Sequence, residues 1–120
     1  MLRNISILVA GLTVFCSPVL AQQADFNLAN RTGYPIRELY VTSTKSKNWG
    51  SDLLDRHIIE DGETWKIRFA SNKSQCIQDI MIVFDDDGSE VTWEKFDLCS
   101  IQKITLRYNR KTNETTAISE

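Results

Sequence analysis

Histidine is almost missing from this chain: His57 stands alone. Cysteine occurs three times, proline twice and glycine five times. These scarcities exclude several chemistries. Structural zinc takes about four Cys or His ligands, more than this sequence offers close together. No G-x-S-x-G string is present, so the nucleophile elbow of the α/β hydrolases is excluded. Glycine-rich phosphate loops are absent as well. No run of cations forms a basic stripe along the sequence, which argues against nucleic acid as a partner. No amphipathic helical stretch is long enough for a membrane surface. Internal repeats and low-complexity linkers are also missing, so residues 22–120 read as one domain.

What is present begins with a leader. Met1-Leu2-Arg3-Asn4 carries one positive charge, and Ile5 to Cys16 (ISILVAGLTVFC) is almost wholly apolar. Ser17-Pro18 breaks that run, and slim side chains follow at Val19 and Ala21. This three-part pattern predicts a secretory signal peptide over residues 1–21, cleaved after Ala21. A retained membrane helix would need roughly 20 apolar residues. Phe15 before Cys16 is too large for a lipoprotein signal. The expected location is periplasmic or secreted, with no stable membrane insertion once the leader is gone. Without Arg3 the 14 cations become 13, against 16 carboxylates, a net charge of −3.

Cys16 leaves with the leader, and Cys76 and Cys99 remain as an even pair in an oxidising space. They are expected to form a disulfide, contributing about 3 kcal/mol by loop-closure entropy.

Alternation of period two dominates the rest. Phe26 and Leu28 share one face of Asp25 to Asn30, and Asn30-Arg31-Thr32-Gly33 makes a polar turn. Strands are expected over 36–42, 64–69, 76–84, 90–96 and 98–108. In 64–69 Trp65, Ile67 and Phe69 point inward, and in 90–96 Val91 and Trp93 do so. The segment 76–84 is the most apolar and reads as central. Asp-Gly at 87–88 predicts a hairpin joining it to the next strand. A shift of inward positions between Ile101 and Ile104 suggests a bulge. Ser51 to Arg56 reads as one short helical turn capped by Ser51. The tail Arg107 to Asn113 reads as a solvated end. The fold class is all-β: an antiparallel β-sandwich, Ig-like in architecture only, since the Cys–Trp–Cys spacing of antibody domains is not matched.

Candidate sites are few. His57 could serve a Ser–His–Asp or Cys–His arrangement, giving a small hydrolase as one alternative, although an ordinary loop or strand-edge residue is the plainer reading. Asp85, Asp86 and Asp87 invite a calcium-stabilised envelope or adhesion module as another, with Asp52 and Asp55 joining if the loops meet. The run lacks EF-hand spacing, and a solvated turn is the plainer reading. Trp49 in the string Trp49-Gly50-Ser51-Asp52-Leu53-Leu54 is either a binding anchor or a plug closing one end of the sandwich. Trp65 and Trp93 read as core.

The segments FNLANRTGYPIRELYVTSTKSKNWGSDLL, GETWKIRF, CIQDIMIVFDDDG and W-x-x-F-D-L-C before ITLRY resemble a family of small exported bacterial β-rich proteins of unknown function. Some of its members carry the label argininosuccinate lyase, which cannot fit a chain this short, since that enzyme is a large helical tetramer. The resemblance implies a bacterial periplasmic setting and no chemistry. The function expected is therefore a non-enzymatic module, without cofactor, that binds a protein or cell-envelope component. Trp49, Asp52 and Tyr34 are the residues expected to bind, by sandwich-end loops or by strand addition at an edge.

Overall fold

The computed structural model describes residues 22, 23, 25–46, 48–71 and 75–120. The leader expected over 1–21 lies outside the described residues. Among those described, no helix is long and apolar enough to cross a membrane.

The chain is all-β. In order the strands are β1 (Gln22–Gln23), β2 (Phe26–Arg31), β3 (Ile36–Ser43), β4 (Thr64–Ile67), β5 (Ala70–Ser71), β6 (Ile77–Phe84), β7 (Glu90–Asp97), β8 (Lys103–Asn109) and β9 (Glu114–Ser119). One sheet has the order β4-β2-β8-β9, the other β3-β6-β7, and β1 pairs with β5 alone. Alternation decides which side chains enter the space between the sheets. Phe26, Leu28, Ile67, Ile104 and Leu106 come from the four-stranded sheet, and Leu39, Val41, Ile80, Ile82, Phe84 and Trp93 from the other; all are buried. Fully burying such a side chain is worth about 1.5–3 kcal/mol.

The central strand and its hairpin are as expected. β6 pairs antiparallel with both β3 and β7. The turn at 85–87 closes with Gly88 N–H donating to Phe84 O at 3.0 Å.

The two mostly antiparallel sheets match the expected fold class, with one exception: β2 lies parallel to β8, Leu28 opposite Ile104. Three expectations are corrected. The last long strand begins only at Lys103: Leu98 to Ser100 form a turn outside the ladder, and this turn, not a bulge, shifts the inward positions. Residues after Asn109 are not a solvated end; they turn back as β9, with Leu106 opposite Ala117. Residues 53–56 make a turn and no helix. Asp52 rather than Ser51 organises that turn, its Oδ1 accepting from Leu39 N–H at 2.9 Å and Leu54 N–H at 3.0 Å.

A true bulge sits elsewhere. On β7, Glu94 and Lys95 stand where β6 has Asp79 alone, and Lys95 takes φ 66°. Asp79 Oδ1 accepts from the Lys95 N–H at 3.0 Å and fixes it there. The extra residue lets both Trp93 and Phe96 face the core.

Two polar links tie the sheets at their sides. Trp93 Nε1 donates to Thr116 O at 2.9 Å, joining β7 to β9. Across the molecule Asn30, fully buried at the end of β2, donates Nδ2 to Tyr34 O (2.8 Å) and Ile59 O (3.0 Å). Ile59 in turn bridges to Ile36 of β3. Cys76 and Cys99 are bonded with Cα atoms 5.2 Å apart, closing the open end of the β6–β7 hairpin.

Candidate functional site

Trp49 is held from both sides. Upstream, Thr42 Oγ1 at the end of β3 donates to Asn48 O at 2.7 Å. Downstream, Asp52 straps the following turn onto β3 by the two bonds described above, and Leu53 N–H donates to Leu39 O at 2.8 Å. So fixed, the half-buried indole becomes one wall of a groove of about 360 Å³ on the outer face of β3-β6-β7. Thr42, Thr44, Asp79, Thr92, Glu94 and Lys95 also line it. The groove is within the usual range for a small-ligand site, roughly 300–1,000 Å³.

Asp79 gives the groove its polarity. Only 9% of the residue is exposed. Its Oδ1 is occupied twice, by the Lys95 N–H and by Thr44 Oγ1 at 2.7 Å. Its Oδ2 has no hydrogen-bond partner among the described residues. A largely buried carboxylate and an indole lining one groove have the chemistry to meet a hydroxyl or N–H on one side and an apolar face on the other. Trp49 thus lines an outer-face groove and is not among the residues packed against the core cluster.

The other candidates do not join it. Tyr34 lies at the opposite end of β6, its ring edge-on to Phe84 with centroids 5.6 Å apart. The Arg110 guanidinium lies 3.5 Å above the Tyr34 ring. It also grips Asp86 with two hydrogen bonds of 2.9 and 3.0 Å, and reaches Asp87 at 3.6 Å. Those bonds from Arg110 hold the Asp86 carboxyl below its usual value. The Ser89 hydroxyl and N–H, donating to Oδ1, do the same for Asp87. Asp86 and Asp87 therefore face an internal cation, and Asp86 spends both oxygens on it. Nothing in the sequence pairs Arg110 with this turn, because 24 residues separate it from Asp86. Asp52 is committed to the β3 backbone.

Among the described residues, the one convergence of three Cys, His, Asp or Glu ligand atoms is Cys76, Asp97 and Cys99. Both sulfurs there are consumed by the disulfide.

His57 has its partners in Glu63, just before β4, and in Trp65 on β4. Nε2 meets Glu63 Oε2 at 2.9 Å, and the ring stacks on Trp65 with centroids 3.5 Å apart and planes 14° from parallel. Trp65 corrects the expectation that it is core, being 38% exposed. It does share an inward face with Ile67, as its place opposite Leu28 requires. But β4 is an edge strand, and the imidazole covers only one side of the indole. Among the described residues no serine hydroxyl or thiol is hydrogen-bonded to the His57 ring.

The fold and groove define a disulfide-bonded, two-sheet β protein with a small mixed-polarity cleft on one outer face. No family model, curated protein or solved structure matches the chain.

Proposed function

We propose that this chain is a non-enzymatic binding module of the periplasmic or secreted space, and that it recognises a protein or cell-envelope component through the Trp49 groove. The carrying observation is the pairing of a fixed indole wall with the free Oδ2 of Asp79. A ligand seated there places an apolar face on Trp49 and donates a hydroxyl or amide N–H to the carboxylate. Lys95, Glu94 and Thr92 offer further polar contacts at the rim. The leader pattern, the disulfide and the resemblance to small exported bacterial proteins support the setting. His57, stacked on Trp65 and paired with Glu63, reads as a structural residue of the β4 edge.

The test is capture from an envelope extract by immobilised chain, wild type against Trp49→Ala and Asp79→Asn. The second variant keeps an acceptor for the Lys95 N–H and reverses polarity toward the groove. The expected result is a partner retained by wild type and lost by at least tenfold with either variant, both still folded by circular dichroism. Equal capture by all three chains would remove the groove as the recognition site.

A further inference from the structure

The β2–β8 pairing builds a surface that the sequence does not display. Residues opposite one another in a sheet share a face. On the outer face of β4-β2-β8-β9, Asn27 of β2 lies between Lys66 of β4 and Lys103 of β8. Four residues further along β2, about 13 Å away, Arg31 lies directly beside Arg107 of β8. All four cations are exposed. None makes an ion pair among the described residues, where the cations that do are Arg37, His57 and Arg110. The carboxylates on this side, Glu114 and Glu120, pair at the two ends of the β8–β9 ladder. Between the cationic rows stand Ala29, Thr64 and Thr105, too short to keep a flat surface away. The outer face of β3-β6-β7 carries more carboxylates: Glu38, Asp79 and Glu90 lie there, Arg37 pairing with Glu38, and Glu94 lines its groove together with Lys95.

Like charges side by side on neighbouring strands cost stability, and neither Arg31 nor Arg107 makes an ion pair among the described residues. We infer that this cationic sheet face docks on the surface of an anionic phospholipid bilayer, leaving the Trp49 groove directed away from it. No aromatic side chain occupies its outward positions, so it offers no stacking platform for the bases of a nucleic acid strand. Ile118, opposite Thr105 on the same face and 50% exposed, supplies an apolar contact for the headgroup boundary. Attraction to anionic lipid amounts to about a fivefold gain per cation near the surface.

Sedimentation of the exported, disulfide-bonded chain with phosphatidylcholine vesicles, with and without phosphatidylglycerol, tests this. Binding is expected only to the vesicles containing phosphatidylglycerol, and it should weaken steeply with salt. The double variant Arg31→Glu/Arg107→Glu should bind at least twenty-fivefold more weakly, while Lys45→Glu, outside this face, changes little. Inorganic phosphate at the concentration of the lipid headgroups should not compete, because a single anion meets only part of the face. Equal binding to both vesicle types, or full binding by the double variant, overturns the inference. Binding of duplex DNA without binding of vesicles overturns it too and assigns the face to nucleic acid. Because the groove is on the other sheet, loss of capture by Trp49→Ala is read independently of these outcomes.

Discussion

At the scale of single residues, several positions that look available for recognition are spent on the fold. Asn30 and Thr32 sit in a polar turn by sequence, yet both are buried. Asn30 Oδ1 accepts from Thr32 N–H at 3.0 Å and Thr32 Oγ1 at 2.6 Å, while its Nδ2 serves two carbonyls. An amide there satisfies four groups: three belong to its own turn, at Thr32 and Tyr34, while the fourth, Ile59 O, lies 29 residues away, where no local pattern announces it. The same holds at Tyr40, whose hydroxyl donates to Glu38 Oε1. That bond pushes the Tyr40 phenol from 10.0 up to about 12 and holds the Glu38 carboxyl below 4.5. The pair is stabilising only while the phenol is neutral and the carboxylate ionised. Its contribution is therefore full below pH 10 and is lost as pH rises toward 12. On the acid side it is present above 4.5 and is lost as pH falls below that. Ultraviolet titration of the folded chain should show one phenol ionising near 12, and Glu38→Gln should bring it down toward 10. A Tyr40 that ionises at the same pH in both chains would contradict the assignment.

At the scale of elements, legibility followed burial and sequence distance. β6 is readable because its inward positions Ile80, Ile82 and Phe84 are all apolar and its outward Val83 is covered too. Its hairpin is readable because the turn is local. Gly88 has φ 72°, a conformation that costs a residue with a Cβ about 1–2 kcal/mol. A Cβ at this site would meet only Arg37 Nη2, at 3.9 Å, so space is not the constraint. Gly88→Ala should therefore destabilise by about 1–2 kcal/mol, lowering the midpoint by roughly 4–8 °C per kcal/mol, whereas Gly88→Asn should cost less. An unchanged melting temperature for the alanine variant would show that the turn relaxes to another type. β9 was illegible for the converse reason. It is an edge strand, and Glu114 to Ser119 bury little, so no apolar alternation marks it. The groove shares that fate: Trp49 stands out by its string, but Asp79 comes to it from β6 and Lys95 through the β7 bulge.

At the scale of the whole molecule, what could not be read is the order of strands. Placing β2 beside β8 joins residues more than 70 positions apart in parallel, and no local signal encodes such a contact. That one pairing produces the parallel step and the cationic face together. It also makes folding depend on non-local contacts, whose loop-closure cost is met before they stabilise anything. The disulfide acts against that cost. It spans 23 residues around the β6–β7 hairpin, so it pre-closes the sheet onto which β3 must dock. By chain entropy it contributes about 3 kcal/mol, a large share of the ~5–15 kcal/mol typical of a domain. Reduction should lower the melting temperature by roughly 10–25 °C at the rate expected for a domain of this size. The double variant Cys76→Ala/Cys99→Ala should match the reduced wild type, because the thiols themselves bury little. Chain made without residues 1–21 in a reducing cytoplasm should show the same lowered midpoint and recover it on oxidation. If reduced and oxidised chains melt together, the bridge does not constrain the unfolded ensemble, and the link drawn between export and stability fails with it.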